Sequence, residues 1–449
     1  MSLTRKVASY VVNTCFSDIP TEAIQKAKEC FLDSLGATLG GSLLPSSRLA
    51  TQFAQTVFGP GKSRILGTGH RTNPVGAAWA NATSNSALDI DDAHGFAMGH
   101  PGAVIFPPAL AFSQAEKGLT GKRFLEAVVA AYEVSIRIAG SRRAEKRYSY
   151  STGSWGAFAA AAVAGKLIGL NEEQMTQALG ITTAHHPLPP NRKAYLHFGM
   201  VKETTGWASM TGSSAVVLAR LGFSGMEPIL DDPAFHDPSA FDHLGTDYEI
   251  GKTGFKIYPS CRWNHVALDL ILSLRKKHQI RVDEVQAVTI RTFLKASQMT
   301  NPRPENVEDA QYSLPFLTSL ALRYGELRPV YFLEDHLMDS KNQEIASKVK
   351  VELNPEFDAL FPGKYATNVE IFMKRGHFKD YADSPKGDPH DPLTVEDLAK
   401  KFRGLTQDIL SDSEADQVID IALQVEKENS FERLDSLLQG ERRDRVRNS

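Results

Sequence analysis

The chain has 449 residues, 42% of them hydrophobic, and a formal net charge of −3. That length exceeds one small core and predicts two or three domains. The near-balanced charge offers no field to draw in nucleic acid or an anionic membrane, so neither is an expected partner.

The N-terminal stretch MSLTRKVASYVVNTCF is broken by Ser and Asn, unlike a secretory signal, and no apolar run reaches the roughly 20 residues of a membrane helix. Three scattered cysteines, Cys15, Cys30 and Cys261, fit a reducing cytoplasm better than a disulfide framework. Ser17-Asp18-Ile19-Pro20 is a helix start signal. Ala23, Ala27, Phe31 and Leu35 then recur at helical spacing, and Gly40-Gly41 is expected to stop the pattern. Phe58-Gly59-Pro60-Gly61 and Gly67-Thr68-Gly69 read as turns. Helical patterns return over Val75–Leu88, Gly121–Arg142, Trp155–Leu170 and Trp207–Leu221. The third of these is rich in Ala and Gly, which let backbones approach closely, so it is expected to lie deep among other helices.

After about Gly251 the texture changes. Val285–Phe293 carries β-branched residues with partial alternation; Val349, Val351 and Leu353, then Val369, Ile371 and Met373, repeat with a period of two. These predict strands of a small antiparallel or mixed sheet with one wet face, with helices at His265–Lys277 and Leu314–Tyr324 between them. A loop rich in Asp, Pro and Gly follows at Tyr381–Pro392. Thr394-Val395-Glu396-Asp397 then resembles a capping box, and Leu398, Phe402 and Leu405 follow at helical spacing. The fold expected is mainly α with an α+β second domain: a helical domain over 1–253, a smaller α+β lid over 254–393, and helices over 394–449 that rejoin the first domain. The basic stretch Glu441–Arg447 near the end reads as a solvated tail.

Missing motifs narrow the chemistry. Gly61-Lys62-Ser63 looks like the end of a P-loop, but Thr56 stands where its first glycine belongs, and Arg64 breaks a dinucleotide fingerprint starting at Gly59. No CxxC, HExxH, EF-hand or GxSxG pattern occurs. Hydride transfer, phosphoryl transfer and serine hydrolysis lose support.

Four segments could carry chemistry. The densest is Leu88–Gly102, where Asp89, Asp91 and Asp92 lie near His94 and His100, and Gly95, Gly99 and Gly102 allow a tight fold. Imidazole beside carboxylate makes a tunable acid–base pair, and Asp with His is also a possible metal set; the plainer reading is a turn whose aspartates cap helices. The second, Arg147–Gly156, puts Tyr150, Thr152 and neighbouring hydroxyls at a helix N-terminus, which suits a carboxylate or ordinary capping. The third holds Lys202, preceded by His185, His186 and Arg192; it reads as a base, an anion binder or a surface lysine. The fourth, Lys256–His265, offers Lys256, Arg262 and His265 to carboxylates, or is a solvated basic loop; Cys261 is a nucleophile or a small buried hydrophobe.

Taken in this order, with Leu32–Gly36, Gly222–Gly225 and Ala310–Pro315, these segments resemble the MmgE/PrpD family, whose members include 2-methylcitrate dehydratases, cis-aconitate decarboxylases and iminodisuccinate epimerases. The resemblance runs through nearly the whole chain. It implies a helical domain with an α+β lid, a site between them, a homodimer, and no metal or organic cofactor. It also implies a small polycarboxylate substrate and abstraction of a proton next to a carboxylate. Asp89, His100, Tyr150 and Lys202 are then the catalytic candidates, and Asp92, His94, Thr152, Lys256, Cys261, Arg262, His265 and Gln311 the substrate-binding ones.

The family as a whole points to a dehydratase-like lyase. Tyr150, Ala93, Cys261 and Phe316 stand where dehydratase or decarboxylase members carry His, Thr, His and Tyr. An epimerase that uses Tyr150 and Lys202 as two bases is the alternative, and a carboxylate-binding protein without catalysis is a third reading.

Overall fold

The computed structural model describes residues 2–116, 118–143, 151–188, 199–226 and 229–439. Tyr150, Arg192 and the basic tail fall outside them.

The helix that follows Pro20 runs over Thr21–Ser42 and does not stop at Gly40-Gly41. The reason is packing. A Cβ on Gly41 would come within 1.9 Å of the Ser84 carbonyl oxygen on helix Pro74–Ser86. The glycine pair is therefore a helix crossing rather than a terminator. The small-residue helix spans Gly153–Leu167 and is buried along its whole length. It packs against Gly102–Ala115, Gly121–Ser141 and Thr205–Arg220. Close approach is again the cause: a Cβ on Gly212 would meet the Ala157 carbonyl at 2.1 Å, and one on Gly156 would meet Val104 at 2.7 Å. Helix Gly102–Ala115 carries Pro107 and Pro108 inside it, which disguise it in sequence, yet every residue from Gly102 to Ser113 is buried.

A second core gathers around a four-stranded mixed sheet, ordered Val349–Leu353, Val285–Thr292, Thr367–Met373 and Gly376–Ala382. The first two strands run parallel, with Val288 opposite Val349; the others are antiparallel, with Ile290 opposite Val369. Alternation sends Val288, Ile290, Val369 and Ile371 inward. Helices His265–Lys277 and Leu314–Tyr324 lie against the sheet strands. Strand Gly376–Ala382 has no apolar alternation strong enough to announce it, because it is a mostly exposed edge.

Helix Val395–Thr406 returns to the first core, with the predicted capping box formed by Thr394 and Asp397. Phe402 and Leu405 fill the space left by Gly36 and Gly40 of helix Thr21–Ser42. From the same helix Lys401 donates to Asp33 and, at 2.7 Å, to the Ile90 carbonyl. That bond ties the C-terminal helices to the acidic loop. Among the described residues, no helix is long and apolar enough to cross a membrane.

Gly41→Ala is expected to lower stability by about 1–3 kcal/mol, since neither backbone can yield to the added methyl. Equilibrium urea unfolding measures it; an unchanged midpoint would contradict the close crossing.

Candidate active site

The acidic loop leaves helix Pro74–Ser86 and turns at Asp89, whose φ is +52°. A non-glycine residue in this left-handed region is strained and persists only where its surroundings hold it. Four bonds do so. The Asp89 N–H donates to the Ser86 carbonyl at 3.0 Å, and Ala93 exchanges two main-chain bonds of 2.9 Å with Gly254. That pairing brings Lys256 to the loop, where its buried ammonium donates to Oδ1 of Asp89 in a close ion pair. Tyr312 donates its hydroxyl to Oδ2 of Asp89 at 3.3 Å. On another side, Nε2 of His100 lies 3.8 Å from Oδ1.

Lys202 is also buried and also left-handed, with φ +39°. Its ammonium donates to Oε1 of Gln311 and, at 3.3 Å, to the Ala87 carbonyl. Gln311 donates its own amide to the same carbonyl at 2.8 Å. Residues from four distant stretches, Ala87–His100, Lys202, Lys256 and Gln311-Tyr312, thus close one polar cluster around the buried Asp89, Lys202, Lys256 and Gln311.

The charges in it are mutually dependent. Burial works against an ionised Asp89, but the ammoniums of Lys256 and Lys202, with His100, outweigh it and hold the carboxyl well below the usual carboxylate range. Burial pushes the Lys202 ammonium down; Asp89 opposes this and Lys256 adds to it. A lysine so placed is easier to deprotonate than a free one. For His100, burial also disfavours charge, yet Asp91 and Asp89 raise the ring above its ordinary value against the opposing Lys256. Asp89, Asp91 and His100 each bring one donor atom within 4.8 Å of the others, a spacing a cation can use. The Lys256 ammonium already sits on Asp89, so the chain supplies positive charge there itself.

Several sequence-predicted site residues are turned to the scaffold instead. Asp92 accepts from the Gly102 N–H at 2.8 Å and from the Tyr132 hydroxyl at 2.6 Å, so both its oxygens are engaged; it caps helix Gly102–Ala115. Nδ1 of His94 accepts from the Ala97 N–H at 3.3 Å, and its Nε2 donates to the Glu249 carbonyl at 3.1 Å, which leaves no ring nitrogen for a ligand. Burial pushes that ring down to about 4. The Thr152 hydroxyl donates to Glu203 and accepts the His100 N–H, both at 3.1 Å, so it fixes the acidic loop and has no spare proton for a ligand. Gly99 and Gly102 make room for Thr152 and Asp92 rather than for a ligand.

The fourth segment divides. Arg262 is paired with Asp388 of the loop after the sheet, while its second terminal nitrogen is buried without a hydrogen bond among the described residues. His265 is buried; Nε2 lies 3.4 Å from the Ser260 carbonyl, and Nδ1 has no bond among the described residues. Burial, with Arg262 and Lys256 nearby, keeps this ring neutral. Burial and Asp89 push the Cys261 thiol up to about 12, which removes it as a nucleophile at neutral pH. The Cys261 N–H donates to the Gln311 carbonyl at 3.1 Å and aligns that residue. Tyr150 lies outside the described residues.

Tyr312 is the contact that sequence reasoning missed. Its neighbour Gln311 in the Ala310–Pro315 signature was the available signal, since Tyr312 directly follows Gln311 at the C-terminal end of the short helix Val307–Gln311.

Burial raises the Asp92 carboxyl to about 7, above its value in an unfolded chain. Between the ordinary carboxylate range and about pH 7, the folded protein holds a proton there that the unfolded one releases. This group's contribution to stability therefore falls as pH rises through that window. In Asp92→Asn that part of the pH dependence of the unfolding free energy is expected to vanish; an unaltered slope would contradict the assignment.

The MmgE/PrpD N-terminal domain profile matches residues 5–237, and the MmgE/PrpD C-terminal domain profile matches 258–427. Curated relatives align along most of their length. Cis-aconitate decarboxylase of Aspergillus terreus is 24% identical over 462 residues, covering 95% of this chain and 93% of the relative. The human cis-aconitate decarboxylase is 24% identical over 468 residues, covering 98% and 95%. The mitochondrial 2-methylcitrate dehydratase of Yarrowia lipolytica is 24% identical over 424 residues, covering 85% and 80%.

Proposed function

The chain belongs to the MmgE/PrpD family, and from that premise we propose that it is a lyase acting on a small tricarboxylic acid by proton transfer at a carbon next to a carboxylate. The observation that carries this reading is the cluster of buried Lys202, Lys256 and Asp89 with half-buried His100. It combines fixed positive charge, for a substrate carboxylate and for electron density that builds up beside it, with a proton donor and a lysine that burial makes less basic. Relatives named for cis-aconitate and for 2-methylcitrate support the substrate class.

The two reactions those names imply share this equipment. In a dehydration a base takes the proton beside the carboxylate, the C–O bond breaks, and an acid delivers a proton so that hydroxide leaves as water. In a decarboxylation the bond to a carboxyl carbon breaks, carbon dioxide leaves, and the acid's proton ends on the carbon that kept the electron pair. We assign the acid to Nε2 of His100, the base to Lys202, and carboxylate holding to Lys256 and the half-paired fork of Arg262. The alternative epimerase used Tyr150 as its second base, and no observation in the described residues favours it.

The three unpaired cysteines support a reducing compartment such as the cytoplasm. A homodimer is supported by the exposed apolar side chains Leu221, Phe223 and Met226, which follow helix Thr205–Arg220.

Incubation with cis-aconitate and with 2-methylcitrate in deuterated water tests the activity. Carbon dioxide release, or water loss with a new double bond, is the expected result. Deuterium at Cα without elimination would replace the lyase with an epimerase, and binding without conversion would leave a silent binder. On a converted substrate, Lys202→Ala and His100→Gln are each expected to lower kcat by about 100-fold or more. Unchanged turnover in either would remove that residue from its role.

A further inference from the structure

Asp91 is buried, at 1% exposure, and among the described residues neither of its carboxylate oxygens accepts a hydrogen bond. A buried carboxylate in that state is costly and calls for a compensating charge. Oδ2 lies 3.5 Å from Nδ1 of His100. The same Nδ1 is 2.7 Å from the Asp92 carbonyl, which can only accept, so Nδ1 carries a proton. Nε2 is then the nitrogen that faces Asp89.

The arrangement is clamped on both sides. The His100 N–H is held by Thr152, which Glu203 holds in turn. Lys401 grips the Ile90 carbonyl, between Asp89 and Asp91, so the carboxylate behind the ring is fixed in place.

We propose that Asp91 is a positioning residue which, together with the Asp92 carbonyl, fixes the Nδ1 proton of His100 and keeps the ring doubly protonated, so that Nε2–H is the proton donor of the site. The inference deepens the lyase reading and rests on it for the use of that proton. Asp91 stands on the Nδ1 side of the ring, where it supplies charge without taking a place at Nε2. In turnover the Nε2 proton passes to the departing hydroxyl or to the carbanionic carbon. His100 is left neutral with its Nδ1 proton, and Nε2 is reprotonated from water.

Among the described residues, the charged groups that face the ring are Asp91 and Asp89 from its own loop, Glu203 from the segment before helix Thr205–Arg220, and Lys256 from the entry to the second core. Burial and Lys256 disfavour the second proton, and Asp91 is the strongest of the groups that favour it.

The test is titration of the full-length protein labelled at histidine ring nitrogens, by nuclear magnetic resonance. His100→Gln identifies the His100 signal among the 13 histidines. In the unmodified protein His100 is expected to titrate above the ordinary value of about 6.5. In Asp91→Asn the midpoint is expected to fall by about one pH unit or more. The alkaline limb of the kcat profile on a converted tricarboxylate is expected to fall with it, and Asp91→Glu to restore part of both. A His100 midpoint at or below the ordinary value in the unmodified protein overturns the proposal, whether or not the variant folds. So does an unchanged midpoint in a folded Asp91→Asn protein, which is what a merely structural role would give. Loss of turnover on every tricarboxylate, with the His100 midpoint behaving as expected, counts against the lyase reading and leaves the Asp91–His100 relation standing.

Discussion

The buried ion pair between Lys256 and Asp89 joins the helical core to the entry of the sheet-bearing part, and the geometry of the site hangs on it. Two charges removed from water must satisfy one another, and loss of either partner leaves the other uncompensated, at a cost of about 3–5 kcal/mol. The pairing of Ala93 with Gly254 places the two chain segments side by side, and the ion pair then fixes which side chains meet. Tyr312 donates to Asp89 of that pair, Nε2 of His100 faces the same carboxylate, and the carboxylate opposes the effect of burial on Lys202.

Strain is concentrated where the charge is. Asp89 and Lys202 both occupy left-handed backbone, each supported by bonds to neighbouring main chain. Such conformations last only in rigid surroundings. The small-residue helices provide them: glycines at 41, 156 and 212 let helix axes approach until side chains have no room to shift. The C-terminal helices complete the support, because Lys401 reaches the acidic loop from a segment far away in sequence. The same packing that buries the core therefore sets the electrostatics of the site.

Within one short acidic run, three carboxylates take three roles. Asp89 is paired by lysine, Asp91 stands behind His100, and Asp92 caps a helix and accepts from Tyr132. His94 and His100 divide in the same way, one bonded to main chain at both nitrogens and the other left with Nε2 towards the charge cluster. Alternation of residue type along the chain carries no information on this. Adjacent positions point in different directions once the backbone leaves regular structure, so a loop rich in Asp and His announces chemistry without assigning it.

The sequence by itself determined the mainly helical first part, the strands at Val285, Val349 and Val369, the returning C-terminal helix and the family, because periodicity, capping and motif order are local properties. It also marked Lys202, Lys256, Gln311, Asp89 and His100, which the fold brings together. Tertiary structure alone decided that Gly40-Gly41 is a crossing and that Asp92, His94 and Thr152 serve the scaffold. It also added Tyr312, Asp388 and Lys401 to the neighbourhood of the charged residues. The physical reason is the same in each case. Which neighbour a buried polar group finds depends on how distant helices cross, and residue spacing along the chain does not encode that crossing.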